Sequence, residues 1–197
     1  MSKFAQCRIV QKLLSLRVGI FALLGAVVVG AILLGGFNSV LGWTNTESFC
    51  VTCHEMRDNV YAEYRGTIHD KNRTGVRATC PDCHVPREIV PKLIRKVQAA
   101  GELWAKFTGK LDTREKFQEH RYELAKHVWT TMKKTDSQAC RNCHDANSMS
   151  SKKQSEKAQA RHEKMRREGM TCIDCHYAIA HEEPEGELGP QDIVVAK

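Results

Sequence analysis

One pentapeptide pattern, Cys-x-x-Cys-His, occurs four times in this chain: CVTCH at Cys50–His54, CPDCH at Cys80–His84, CRNCH at Cys140–His144 and CIDCH at Cys172–His176. Two thiols at this spacing can add across the two vinyl groups of one haem, and the histidine that follows is then placed under the iron as an axial ligand. Zinc ribbons and thioredoxin-like redox sites also use paired cysteines, but neither gives a reason for a histidine directly after the second cysteine in every copy. The expectation is therefore four covalently bound haem c groups. Cys50, Cys53, Cys80, Cys83, Cys140, Cys143, Cys172 and Cys175 would hold them, with His54, His84, His144 and His176 on the irons.

Composition supports a cofactor-filled core. Only 7% of the 197 residues are aromatic, and a large share of the apolar residues lies in one run near the N-terminus. The soluble remainder is short of side chains with which to build an interior, and small domains in that position usually rely on metals or cofactors. The formal net charge of +7 would otherwise suggest nucleic acid or an acidic surface. Eight haem propionates would absorb that excess, so no nucleic-acid partner is expected. The ninth cysteine, Cys7, precedes the apolar run and is assigned no role.

No charged residue occurs between Val18 and Thr46, and a run of that length can cross a bilayer as a helix. It is longer than the apolar region of a secretory signal, and no small-x-small cleavage site follows it. The reading is an uncleaved anchor over 18–40. Lys3, Arg8, Lys12 and Arg17 precede it with no acidic residue among them, which puts segment 1–17 in the cytoplasm and the rest outside. Trp43 falls where an interfacial aromatic belongs. The chain is thus expected in the inner membrane as a single-pass protein with a periplasmic haem domain over 41–181. A flexible tail over 182–197 would follow, acidic at Glu182, Glu183, Glu185 and Glu187.

The motifs also define an internal repeat. His54 and His84 are 30 positions apart, His144 and His176 are 32 apart, and the gap between the pairs is 60. This predicts two dihaem modules, about 47–86 and 137–181, joined by a helical insert. His69 lies 15 residues before His84 and His162 lies 14 before His176, suggesting equivalent jobs as second axial ligands. His181, five residues after His176, is too close to bind the same iron from the opposite face but can reach a neighbouring one. His120 and His127 are weaker candidates, and the choice between His162 and His120 stays open. An amphipathic helix is predicted over Arg87–Lys110, a second from Asp112 or Thr113 to Lys134, and a charged third over Ser148–Gly169. Strand signals are absent. The fold class is mainly α: a single transmembrane helix plus a small helical multihaem domain.

The segments CVTCHEM, EYRGTIH, GVRATCPDCHVP, DTREKF with EHR, SQACRNCH and TCIDCHYAIAH together resemble the NapC/NirT family of membrane-anchored tetrahaem cytochromes, over nearly the whole chain. That resemblance implies oxidation of membrane quinol and one-electron delivery to a reductase outside the membrane. DTREKF and RNCH look closest to the NapC branch, which makes nitrate reductase the first acceptor to consider. The resemblance also implies that Met56, rather than His54, approaches the first haem iron. It further implies that Lys96 helps bind quinol and that Glu102 is an acid on the open side of that haem. Lys96 and Glu102 are six residues apart, about 120° around an ideal helix, so sharing one pocket requires a bend or wrapping side chains. The rival reading is a passive electron-transfer subunit of another anaerobic reductase, for nitrite or an N-oxide, that never touches quinol. A homo-oligomer is compatible with the sequence.

Overall fold

The computed structural model describes residues 3–195, with side chains described from Leu16 onward; the side chains of Lys3, Cys7, Arg8 and Lys12 lie outside the described residues. Helix α1, Lys3–Trp43, contains an apolar stretch, Leu16–Trp43, of 28 residues with mean hydropathy 2.6 and nothing in it buried. At 1.5 Å per residue it exceeds the roughly 30 Å of a hydrocarbon core. Asn38 Nδ2 bonds back into the helix, donating to Leu34 O at 2.8 Å, and just past its end Thr44 Oγ1 donates to Val40 O at 2.9 Å. Neither is then left unsatisfied in lipid.

From Asn45 onward the chain forms a second compact unit. Its helices are α2 (Glu47–Cys50), α3 (Ala62–Tyr64), α4 (Cys80–His84), α5 (Ile89–Phe107), α6 (Arg114–Lys134), α7 (Gln138–Arg141) and α8 (Glu156–Glu168), and no strand occurs among the described residues. Local sequence sets their starts. In TCPDCH and TCIDCH the acid three residues after threonine folds back on it. Asp82 Oδ2 accepts from Thr79 N at 2.8 Å and Oγ1 at 2.7 Å, and Asp174 Oδ2 accepts from Thr171 N at 2.6 Å and Oγ1 at 2.9 Å. The same device thus orients the second and fourth motifs. Thr113 caps α6 by accepting from Lys116 N at 3.3 Å, as expected, and Pro91 fits the first turn of α5, where an N–H has no helical partner. The third charged helix is shorter than predicted. Asp145 accepts from Asn147 N at 2.9 Å and Ser148 Oγ at 2.8 Å, holding that stretch in a turn, and α8 starts only after the Ser155 cap.

The apolar interior is thin: among the described residues the buried hydrophobics are Tyr64, Phe117, Trp129 and Ile173. Charged groups supply much of the rest, with Glu55, Asp70, Arg121 and Asp174 all buried. The acidic tail does not hang free as expected. Pro190 is fully buried, Lys133 Nζ donates to Pro190 O at 2.8 Å, and Tyr122 Oη accepts from Leu188 N at 2.9 Å, so the segment packs along α6. Proline and backbone carbonyls make these contacts, which a charge count overlooks.

Candidate functional site: a multihaem centre

Within each expected module the first cysteines of the two motifs meet. Interaction with Cys80 pulls the Cys50 thiol down to about 7 and pushes Cys80 up, and interaction with Cys140 pulls Cys172 down to about 6 and pushes Cys140 up. None of the eight motif cysteines is joined in a disulfide, which leaves all of them to hold haem. Their second cysteines are partly exposed, and Arg87 Nη2 lies 3.8 Å from Cys143 Sγ, which ties the third motif to the chain following the second.

The histidines form three facing pairs. His84 and His181 have ring centres 6.1 Å apart, His162 and His176 6.1 Å, and His69 and His144 6.3 Å. A metal–imidazole nitrogen bond is about 2 Å and the ring centre lies about 1 Å beyond, so two imidazoles on opposite faces of one metal have centres about 6 Å apart. The donor set and its spacing therefore fit haem held between each pair. Burial, reinforced by His181, drives His84 down to about 4, and burial also lowers His181, so both rings stay neutral with a lone pair to offer. His181 Nδ1 lies 3.0 Å from Val60 O and His162 Nδ1 2.8 Å from Gln154 Oε1, contacts that fix ring orientation as outer-shell partners do for metal ligands. His69 Nδ1 is buried with no hydrogen-bond partner. His120, the alternative to His162, instead approaches Lys116 O of its own helix at 2.9 Å. Beside His144 a cavity of about 600 Å³ opens, lined among others by Arg141, Met165 and Met170.

Two of the three pairs cross between modules. His69 faces His144 rather than the nearby His84, and His84 instead faces His181. The modules read from the spacing are thus interlocked parts of one unit. Sequence distance suggested equivalence between His69 and His162, but only His162 faces the motif histidine of its own module.

The first motif is different. His54 lies 3.5 Å from Glu55, and Glu55, 4% exposed, is gripped by Lys106 Nζ at 2.8 and 3.1 Å. Burial pushes the Glu55 carboxyl up, but the Lys106 ammonium outweighs it and holds the group below the usual glutamate range. Met56, half-buried, opens a π-helical turn, Met56–Tyr61, a distortion frequent at functional sites. Lys96 is half-buried on α5, its ammonium depressed by burial and offset by its proximity to Cys50. Glu102 points elsewhere: its side chain is 58% exposed and pairs with Arg95 at 2.7 Å, two turns back on the same face. The 120° offset from Lys96 persists. Sequence reasoning missed Glu55, whose only signal was its place in CHEM next to the motif histidine.

It also missed a clamp behind His181. Arg121 donates to both oxygens of Glu63 at 2.5 and 2.6 Å and to Glu182 O at 2.8 Å, while Glu182 N donates to Glu63 Oε2 at 2.9 Å. This buried bidentate pair fixes the backbone directly after His181.

A family model described as the NapC/NirT cytochrome c family, N-terminal region, matches residues 14–186. The denitrification system component NirT of Stutzerimonas stutzeri is 55% identical over 83% of this chain and 82% of that protein. The cytochrome c-type protein NapC of Paracoccus pantotrophus is 54% identical over 84% of this chain and 70% of that protein. The cytochrome c-type protein TorY of Escherichia coli O157:H7 is 44% identical over 86% of this chain, which spans 46% of TorY. No solved structure matches the chain.

Proposed function

Because this chain belongs to the NapC/NirT cytochrome c family, for which it supplies a membrane-anchored electron-transfer protein with covalently bound haem c, we propose that it oxidises membrane quinol and passes the electrons to a periplasmic reductase, nitrate reductase first. The observation that carries the reading is the set of three imidazole pairs at 6.1 to 6.3 Å beside a fourth motif whose His54 has no such partner among the described residues. Four haem c groups would be held, three by the facing histidine pairs and the first with Met56 as a further ligand beside His54. Haem c, when bound, supplies one-electron oxidation and reduction.

The chain's own residues do the rest. The eight cysteines anchor the groups, and His69, His162 and His181 complete the ligand sets opened by His144, His176 and His84. Lys96 holds a quinol oxygen beside the first motif. The two protons released per quinol pass to water outside the membrane, and Glu102, paired with Arg95 on the exposed side of α5 and turned away from Lys96, serves as an outward relay rather than as the first acceptor. The N-terminus is cytoplasmic by the basic residues before the span.

The test is reduction of the purified holoprotein by a quinol analogue, read from its haem bands. Wild type should be reduced, whereas Lys96→Ala should lose quinol-driven reduction while keeping all its haem and full reduction by dithionite. A wild type that ignores quinol would make the chain a passive carrier, and full quinol activity in Lys96→Ala would remove that residue from the site. The 55% identical relative is described as a denitrification system component, a description that also fits nitrite reductase as a second acceptor. Mixing the quinol-reduced protein with each reductase decides between them by which one reoxidises it.

A further inference from the structure

Helix α5 contains no buried residue, although it is strongly amphipathic. Val90, Ile94, Val97, Gly101 and Trp104 recur at intervals of three and four and so share one face. That face is open: Val97 is 75% exposed, Trp104 70% and Phe107, at its C-terminal end, 81%. Contiguous apolar surface of this kind on a soluble domain marks a partner or a membrane. The helix's charged residues lie on the other side. There Lys106 reaches into the domain to Glu55, while Arg95 and Glu102 pair along the helix itself, so the side that carries Lys106 faces the domain and the apolar side faces away.

We propose that α5 is an interfacial helix that lies in the outer leaflet of the bilayer with its Val97–Trp104 face among the acyl chains. Three observations select lipid as the occupant. The same chain carries an apolar span of 28 residues, so a bilayer is always within reach of this unit. Beyond Lys106, which is engaged with Glu55, and the Arg95–Glu102 pair, α5 carries two more basic residues, Lys92 and Lys96, and no further acid, a cationic balance suited to anionic headgroups. Trp104 and Phe107 cluster at one end, as in helices that lie at the headgroup boundary. The surface stands whether or not quinol is the donor. If it is, Lys96 borders the lipid-facing side and meets quinol as it leaves the leaflet.

The test uses the full-length holoprotein with Cys7→Ser, in which the motif cysteines are consumed as thioethers and an introduced cysteine is the only thiol. Single molecules are placed in nanodiscs of mixed phosphatidylcholine and phosphatidylglycerol, and a nitroxide is attached at Val97→Cys, at Phe107→Cys, or at Lys157→Cys on the exposed side of α8. The ratio of relaxation by oxygen to relaxation by a water-soluble nickel chelate should be several-fold higher at 97 and 107 than at 157. Equal ratios at the three sites would overturn the proposal. Protection of 97 that appears only with two molecules per disc would overturn it too, assigning the face to a second copy of the chain.

Discussion

A haem iron reports its ligands through its spin state, and on the proposed ligation each distal histidine serves the motif whose histidine it faces. Replacing His181 with alanine should leave the haem at Cys80 and Cys83 covalently attached but high-spin, because His84 loses the ring 6.1 Å away. His69→Ala should do the same to the haem at Cys140 and Cys143, and His162→Ala to the haem at Cys172 and Cys175. His120→Ala should leave the low-spin signal unchanged; electron paramagnetic resonance of the oxidised protein reads all four variants, and a spin change in His120→Ala with none in His162→Ala reverses that assignment. These candidates were legible because the attachment chemistry is compressed into five residues and spare histidines are few. What faces what was not. His69 and His144 are far apart in the chain, and no spacing rule predicts that pairing. Glu55 was illegible for the same reason, since Lys106, the group that makes its burial tolerable, comes 51 residues later.

Between elements, buried ion pairs take over the cementing role that apolar side chains play elsewhere. Arg121 on α6 holds Glu63 and the carbonyl of Glu182, so it acts on His181 through the backbone. Arg121→Gln leaves a buried carboxylate without its partner and should cost about 3 kcal/mol of stability. It should also raise the high-spin fraction of one haem, which a purely structural loss elsewhere would not do. Burial raises the Glu63 carboxyl, but the Arg121 guanidinium wins and holds it below its ordinary 4.5. A carboxylate depressed in the folded state stabilises fully above its unfolded value and loses that contribution as pH falls through the folded one. The wild-type holoprotein should therefore melt at lower temperature as the pH drops below about 4.5, and Arg121→Gln should flatten that dependence in thermal scans. The helices were read well where period and caps agreed, as in α6 with Thr113. Boundaries failed where Asp145 and Ser148 divert the backbone into a turn, and the docking of the tail failed because buried proline and carbonyl contacts leave no periodic trace.

For the whole molecule, the number of buried hydrophobic residues sets a limit. Tyr64, Phe117, Trp129 and Ile173 cannot by themselves bury enough surface to offset the entropy of ordering a unit of this size. Intact mass after denaturation should exceed the polypeptide by four haems, and a chain made without haem attachment should lack a cooperative unfolding transition and be cut rapidly by protease. A folded, protease-resistant apoprotein would show that side chains alone complete the interior. The exchange of histidines between modules also has a consequence in time. A ribosome delivers His84 long before His181, and His69 before His144. On the proposed ligation, the residue that would complete the ligand set of the second motif arrives only with the segment that carries His181. Maturation would then finish only with that segment: a chain stopped short of His181 should carry its haems yet leave the one at Cys80 and Cys83 high-spin, with a reduction potential unlike that of the finished protein.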